Sequence, residues 1–259
     1  MNSPKYFDIH SHLNFPDYEK DWEEVVGRLR ESQTHTICVG TDLESSKKIV
    51  GLSDKYPEIY ACLGVHPVDD KRGEFNNAEF EKLINHPKVV AIGECGLDFF
   101  HEDRDSNYER QKNLFLEQIE FAVKHDKPLM IHSRNTLPEI LDVLEPLSKS
   151  YGEKLRGDVH FFAGSIDEAR RFFNIGFTIS FTGVITFARD YDEVIKFAPI
   201  EMIMSETDAP FVEPVPYRGK RNEHSYVIEV VKKIAEIRDE NLEVVEKALI
   251  FNTKTVFGI

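Results

Sequence analysis

The chain predicts an α/β fold, a closed (β/α)8 barrel of the TIM type, and three observations predict it. Eight short runs rich in apolar and β-branched residues alternate with helical stretches. The length of 259 residues suits one such barrel, which often runs to about 250 residues. Residue types able to bind metals or move protons recur at the ends of strands one, three, four, five, six and eight. A doubly wound open sheet shares the alternation, but only a closed ring brings all those ends together.

In order, the strand-like runs are YFDIHSH (6–12), HTICVG (35–40), IYACLGVH (59–66), VVAIGECGLD (89–98), PLMIHSR (128–134), GDVHFF (157–162), FTISFTG (177–183) and EMIMSETDAP (201–210). Between them lie amphipathic stretches. Leu114, Phe115, Ile119, Ala122 and Val123, for example, share one face of a 3.6-period helix. After the eighth run comes a proline-rich loop, EPVPYRGKRNEH. Val227, Val230, Val231, Ile234 and Ile237 then give a helix its core face, and residues 240–257 form a last helix. No linker, low-complexity segment or close internal repeat interrupts the sequence, so residues 1–259 are expected to form a single barrel domain.

Composition narrows the function classes. A hydrophobic share of 41% with 30% charged residues describes a soluble protein with a large core. No apolar run reaches the roughly 18 residues of a membrane span, and the start MNSPKYFDIH lacks the basic and apolar regions of a signal peptide. A cytoplasmic protein is expected, with no membrane association and no obligatory protein partner. Cys38, Cys62 and Cys95 lie in strand-like runs without CxxC spacing, which fits reduced, buried thiols. The net charge of −14 argues against a broad duplex-binding surface, because phosphate contacts need clustered Lys and Arg.

The chemistry begins in FDIHSHL. Strand side chains alternate faces, so Asp8, His10 and His12 are expected to project from one side. Further along, His66 ends the third strand, Glu94 the fourth, His132 the fifth, His160 the sixth and Asp208 the eighth. In such barrels the C-terminal strand ends carry the active site. His10, His12, His132 and His160 with Glu94 and Asp208 form a mixed nitrogen and oxygen set suited to Zn²⁺, Mn²⁺ or Mg²⁺. Cys95 should face the opposite side. Six ligands exceed the need of one tetrahedral ion. Two divalent ions about 3.5 to 4 Å apart would use them all and hold a water between them as hydroxide, with Glu94 as the natural bridge.

The segments FDIHSHL, GVHP, IGECGLD, IHSR, HFFAG, ETDAP and PYRGKRNE resemble those of the TatD-type metal-dependent deoxyribonucleases of the amidohydrolase superfamily, over residues 6 to 257. The resemblance implies that His10, His12, Glu94 and Asp208 hold one ion, and Glu94, His132 and His160 the other. Where related binuclear enzymes bridge their metals with a modified lysine, this chain has Glu94. It also implies hydrolysis of DNA phosphodiesters, as a 3′ to 5′ exonuclease preferring single strands. Two departures stand out: His224 replaces a proline common after NE, and Phe161 and Ala163 follow His160 where smaller or hydroxyl-bearing residues are frequent.

The residues fit that chemistry on their own terms. Two cations neutralise a phosphodiester and stabilise charge on the attacking and leaving oxygens. Asp208 is expected to accept the proton of the attacking water, Glu94 to hold both ions, and His66 to contact phosphate or protonate the leaving oxygen. Arg134, Arg218 and Lys220 are expected to bind substrate, with Arg221 as readily a solvated loop charge. Glu206 shares the spacing of Asp208 and is placed in or just behind the site. His35, His86, His101 and His125 are expected to be non-catalytic. A narrow metal-lined mouth with few stacking aromatics suits a strand end. The same centre could instead open an ester or amide, as in deacylation of an aminoacyl-tRNA or hydrolysis of a small cyclic amide. In a third alternative the ions only staple the barrel.

Overall fold

The computed structural model describes residues 4–68 and 74–259. Among them, eight strands form one parallel sheet in the order β1 to β8: β1 Tyr6–Ser11, β2 Thr34–Val39, β3 Ile59–Leu63, β4 Val89–Asp98, β5 Leu129–Arg134, β6 Gly157–Val159, β7 Phe177–Phe181 and β8 Ile203–Ser205. Helices occupy the connections: α1 Trp22–Glu31, α2 Leu43–Lys55, α3 Asn77–Phe80, α4 Arg104–Lys124, α5 Leu137–Tyr151, α6 Ile166–Asn174 and α7 Asp192–Phe197. Two more, α8 Val227–Arg238 and α9 Leu242–Phe257, follow the last strand as the sequence predicts. The chain folds as a (β/α)8 barrel. No helix among the described residues is long and apolar enough to cross a membrane.

The ring closes just beyond β8. His12 N donates to the Ala209 carbonyl at 2.8 Å, Asp208 N donates to the His10 carbonyl at 2.9 Å, and Ser11 bridges Ala209 in parallel. Closure removes the exposed edges that an open sheet would leave.

Inside the ring, Phe7, Ile9, Ile37, Val39, Cys62, Met130 and Met204 form one buried apolar layer, which Phe257 at the end of α9 joins. Outside, strand residues such as Cys95, Ile131 and Val159 pack with helix residues Leu114, Phe115 and Ile119. Cys95 thus turns away from the interior, as alternation predicts. Helix starts are fixed by side chains that accept the first free amides: Asp42 and Ser165 form capping boxes, and Asp103 and Asn241 cap α4 and α9. Asn252 ties α9 to the barrel through the carbonyls of Ile200 and Ile203, at 2.7 and 2.8 Å.

Several strands end earlier than expected. β3 stops at Leu63, β6 at Val159 and β8 at Ser205, so His66, His160 and Asp208 stand in the loops just after their strands rather than on them. Glu94 departs the other way and lies within β4, which continues to Asp98. At Gly96 the backbone has φ +144°, and a side chain there would collide with the His132 carbonyl. Glycine therefore lets β4 and β5 approach at the level of Glu94 and His132.

Candidate metal centre

Strict alternation in β1 would send Asp8, His10 and His12 the same way, but the pairing of β1 with β2 shifts between Asp8 and Ser11. This irregularity breaks the period of two. Asp8 turns to Thr207, accepting from its amide at 2.8 Å and its hydroxyl at 2.7 Å, and to the Thr36 hydroxyl at 3.4 Å. His10 and His12 face the site. The expectation that all three share a face is corrected for Asp8.

Glu94 is the hub. Its Oε2 lies 3.5 Å from His10 Nε2 and 3.8 Å from His12 Nε2. Its Oε1 lies 2.8 Å from His132 Nδ1, 2.8 Å from His160 Nε2 and 3.7 Å from His66 Nε2. Asp208 Oδ1 completes the first set, 3.6 Å from His12 Nε2 and 3.9 Å from His10 Nε2. The backbone of Asp208 is left-handed, φ +54°, a conformation aspartate tolerates better than most residues.

Each ring is aimed by what holds its other nitrogen. His12 Nδ1 donates to the Val39 carbonyl at 3.0 Å, which leaves the Nε2 lone pair toward the site. His132 Nε2 meets Asp98 Oδ2 at 3.1 Å, and His160 Nδ1 meets Glu206 Oε2 at 3.4 Å. Glu206, placed in or behind the site by its spacing, is locked behind His160 by the Phe161 amide at 2.6 Å and the Ser180 hydroxyl at 2.7 Å. That hydroxyl also lies 2.5 Å from Asp158 Oδ2. It has one proton to give, so the two carboxylates compete for it, and burial pushes Asp158 up to about 7.

Asp98 escaped the sequence reasoning. It accepts from the amides of Phe100 and His101 at 2.9 Å each and pairs with His101 Nδ1 at 2.8 Å. Its signal was available: it is the last residue of the GECGLD strand, four positions after Glu94. His101, in the loop between β4 and α4, stands at the cavity wall against Asp98.

The electrostatics favour positive charge. Burial alone would raise Glu94, but the imidazoles of His160, His66 and His10 outweigh it and hold the carboxyl well below its usual range. For His160, burial works toward the neutral ring, and Glu94 and Glu206 overcome it to push the ring well upward. Asp98 is held low by His132 and His101 against its own burial. Burial and the neighbouring His160 push His10 the other way, but a field that retains a proton on the His160 ring also attracts divalent cations.

The donor set fits such ions. His10 is fully buried, yet neither ring nitrogen has a hydrogen-bond partner, and its ring stacks on His160 at 3.8 Å. A buried imidazole without partners is costly unless something else completes it. A cation beside Nε2, between Glu94 and Asp208, would do so with the nitrogen and oxygen donors that suit zinc, manganese or magnesium. Three such groups occur among the described residues: His10, His12 and Asp208; His66, Glu94 and His132; and His10, His160 and Glu206.

Above the centre opens a cavity of about 1100 Å³, to which His12, His66, Glu94, His132, His160 and Asp208 are exposed. His66 stands edge-on to His132, with ring centres 4.4 Å apart. Arg134 reaches the cavity wall, its guanidinium 4.4 Å over the Phe100 ring. Arg218 and Lys220 do not reach that wall. Arg218 is drawn to Glu213, 2.9 Å from its carbonyl and 3.4 Å from its carboxylate, and lies over Phe187 at 4.0 Å. Lys220 is exposed on the same loop. Arg221 braces the fold through Asp21 and Glu223. His224 is buried against Tyr18 with neither nitrogen partnered, and burial pushes it down to about 3. His35 lies within β2 beside Phe7 and Tyr60, while His86 and His125 pair with Asp54 and Glu81.

The family model "TatD related DNase" matches residues 7–258. The metal-dependent hydrolase YabD of Bacillus subtilis is 38% identical over 257 residues, covering 98% of this chain and 99% of that protein. A protein of Escherichia fergusonii named 3'-5' ssDNA/RNA exonuclease TatD is 32% identical over 263 residues, covering 98% and 99%. The crystal structure of YjjV, a TatD homologue from Escherichia coli, superposes with a TM-score of 0.89 at 30% identity and full coverage of both chains. An end-to-end family match on a barrel that gathers buried imidazoles and carboxylates at one rim leads to one conclusion: this chain belongs to the TatD related DNase family and is a metal-dependent hydrolase.

Proposed function

We propose that the protein hydrolyses nucleic-acid phosphodiesters, trimming single-stranded DNA from its 3′ end with two divalent ions, Mg²⁺, Mn²⁺ or Zn²⁺. The observation that carries this is the division of Glu94, whose Oε2 faces His10 and His12 while Oε1 faces His132 and His160. One carboxylate serving two donor sets suits a bridged pair of ions. Glu94 with His10, His12 and Asp208 would hold one ion, and Glu94 with His132 and His160 the other. Such ions, when bound, neutralise the phosphate and make a water acidic enough to attack near neutral pH.

The chain's own groups supply the remaining steps. Asp208, the most open of the carboxylates with 14% of its side chain exposed, accepts the attacking water's proton at Oδ1. His66 faces the cavity beside Glu94 Oε1 and contacts the phosphate or returns a proton to the leaving oxygen. Arg134 brings positive charge to the wall. The name of the Escherichia fergusonii relative, 3'-5' ssDNA/RNA exonuclease TatD, supports both the bond and the direction. Three buried free thiols fit a reducing cytoplasm.

The test is digestion of 5′-labelled single-stranded DNA with Mg²⁺ or Mn²⁺, read as a ladder. Products shortened one nucleotide at a time from the 3′ end are expected. Intact DNA alongside turnover of an aminoacyl-tRNA ester or a cyclic amide would move the chemistry to those bonds.

A further inference from the structure

The rim of the cavity carries more aromatic surface than the sequence suggested. Phe211 is 51% exposed and lines the cavity three residues after Asp208. It packs on Phe15, ring centres 6.2 Å apart, and Phe15 stacks on His12 at 4.4 Å and 16°. Phe100 is 61% exposed. It stands two residues after Asp98, the partner of His132, and lies outside the cavity lining, under the guanidinium of Arg134, which belongs to that lining. Each phenylalanine is thus tied to a different part of the metal centre. One belongs to the β1 and β8 side and the other to the β4 and β5 side, which the strand order puts across the barrel from each other.

The charge of the same wall matters. Among the described residues lining the cavity, Arg134 is the one arginine or lysine, while Asp98, Glu102 and Glu168 bring carboxylates. With a net charge of −14, the protein has little with which to attract a polyanion through its phosphates. Beyond the ions proposed for the scissile phosphate, binding must draw on another source. Aromatic rings in water at the mouth of a phosphodiesterase site have an obvious use, since every unpaired base has a π face that stacks without regard to sequence.

We propose that Phe211 in the cavity wall and Phe100 just outside it, beneath Arg134, are stacking faces for unpaired nucleobases, so that the site selects single strands by base stacking rather than by phosphate charge. This rests on the nuclease function proposed above. Paired bases stacked in a duplex cannot offer their faces to these rings. Arg134 adds a second planar surface over Phe100. The salt dependence of KM should be shallow, because few phosphates are neutralised by protein side chains.

The experiment compares the wild-type enzyme with Phe211→Leu and Phe100→Leu on two labelled single strands, one ordinary and one with abasic nucleotides at its 3′ end. The readout is the ratio of kcat/KM on the base-bearing strand to that on the abasic strand. The wild type is expected to favour bases, and each substitution to cut the ratio about tenfold, mainly through KM. A ratio unchanged in both variants, with the wild type cleaving DNA, overturns the stacking role and leaves the nuclease function standing. Equal losses on both strands also overturn it, marking the rings as structural. A wild type that cleaves neither strand overturns both proposals.

Discussion

The two halves of the centre are satisfied in different ways. Around Glu94 Oε1, both nitrogens of His132 have partners, Glu94 at 2.8 Å and Asp98 at 3.1 Å, and so do those of His160, Glu94 at 2.8 Å and Glu206 at 3.4 Å. Around Oε2 the spacings widen to 3.5 and 3.8 Å, and His10 has no partner at either nitrogen. The β4 to β6 half is organised in advance by carboxylates set behind its imidazoles. The β1 and β8 half has buried polar atoms that a cation would complete. On the proposed reading, one half would aim its ligands, and the other would depend more on a bound metal for its own stability.

The largest effect should come from the residue both halves share. Glu94→Gln keeps the shape and removes the charge facing both sets. Cleavage of labelled DNA should fall about a thousandfold with an unchanged circular dichroism spectrum. Retained activity would end the bridging role.

Stripping divalent ions with a chelator should come next. Protein that holds its ions at about a thousand times Kd loses about 4 kcal/mol when they are removed, seen as a lower melting temperature. His10→Phe preserves the stack on His160 and should shrink this loss more than Asp98→Asn does. The opposite order would reverse the assignment of the two halves.

Asp98→Asn tests the organised half directly. Loss of the carboxylate behind His132 should weaken metal affinity about 10- to 100-fold, measurable by titration calorimetry. Unchanged affinity would reduce Asp98 to a loop anchor for Phe100 and His101.

The smallest effect concerns His224, behind the His12 side. Its folded value is lowered from 6.5 to about 3, because burial disfavours the charged ring and the nearby His12, Arg221 and Arg28 add to that. Between those values the unfolded chain binds more protons, so the stability linked to His224 is complete above pH 6.5 and is lost as pH falls toward 3. At pH 5 the loss is about 2 kcal/mol. His224→Leu should flatten the denaturation midpoint between pH 6.5 and 5, whatever it does to the midpoint itself.

How far the site could be read in advance varied with the residue. Strand starts followed from apolar runs that fill two layers, one inside and one outside the ring. Strand ends were harder, because His66, His160 and Asp208 sit where regular pairing stops. Asp208 and Phe161, beside His160, both have positive φ, which a strand cannot accommodate. Arg218 and Lys220 were expected as substrate contacts because GKRNE resembles the family's loop beside Asp208; in the structure Arg218 lies against Glu213 and Phe187, and neither residue lines the cavity. Rim phenylalanines were invisible as such, since a sequence does not say which aromatics stay in water.

By itself the sequence determined which kinds of candidate ligand are present and in what order the strands deliver them, because alternation and apolar periodicity are properties of neighbours along the chain. Only the tertiary structure decided that Asp8 turns away from the face of His10 and His12, that the two oxygens of Glu94 face different imidazoles, and that Asp98 and Glu206 stand behind those rings. Each of these outcomes depends on partners distant in sequence, as Asp8 and Thr207 are at 199 positions apart. Such partners meet only when the ring closes, and no local rule encodes that geometry.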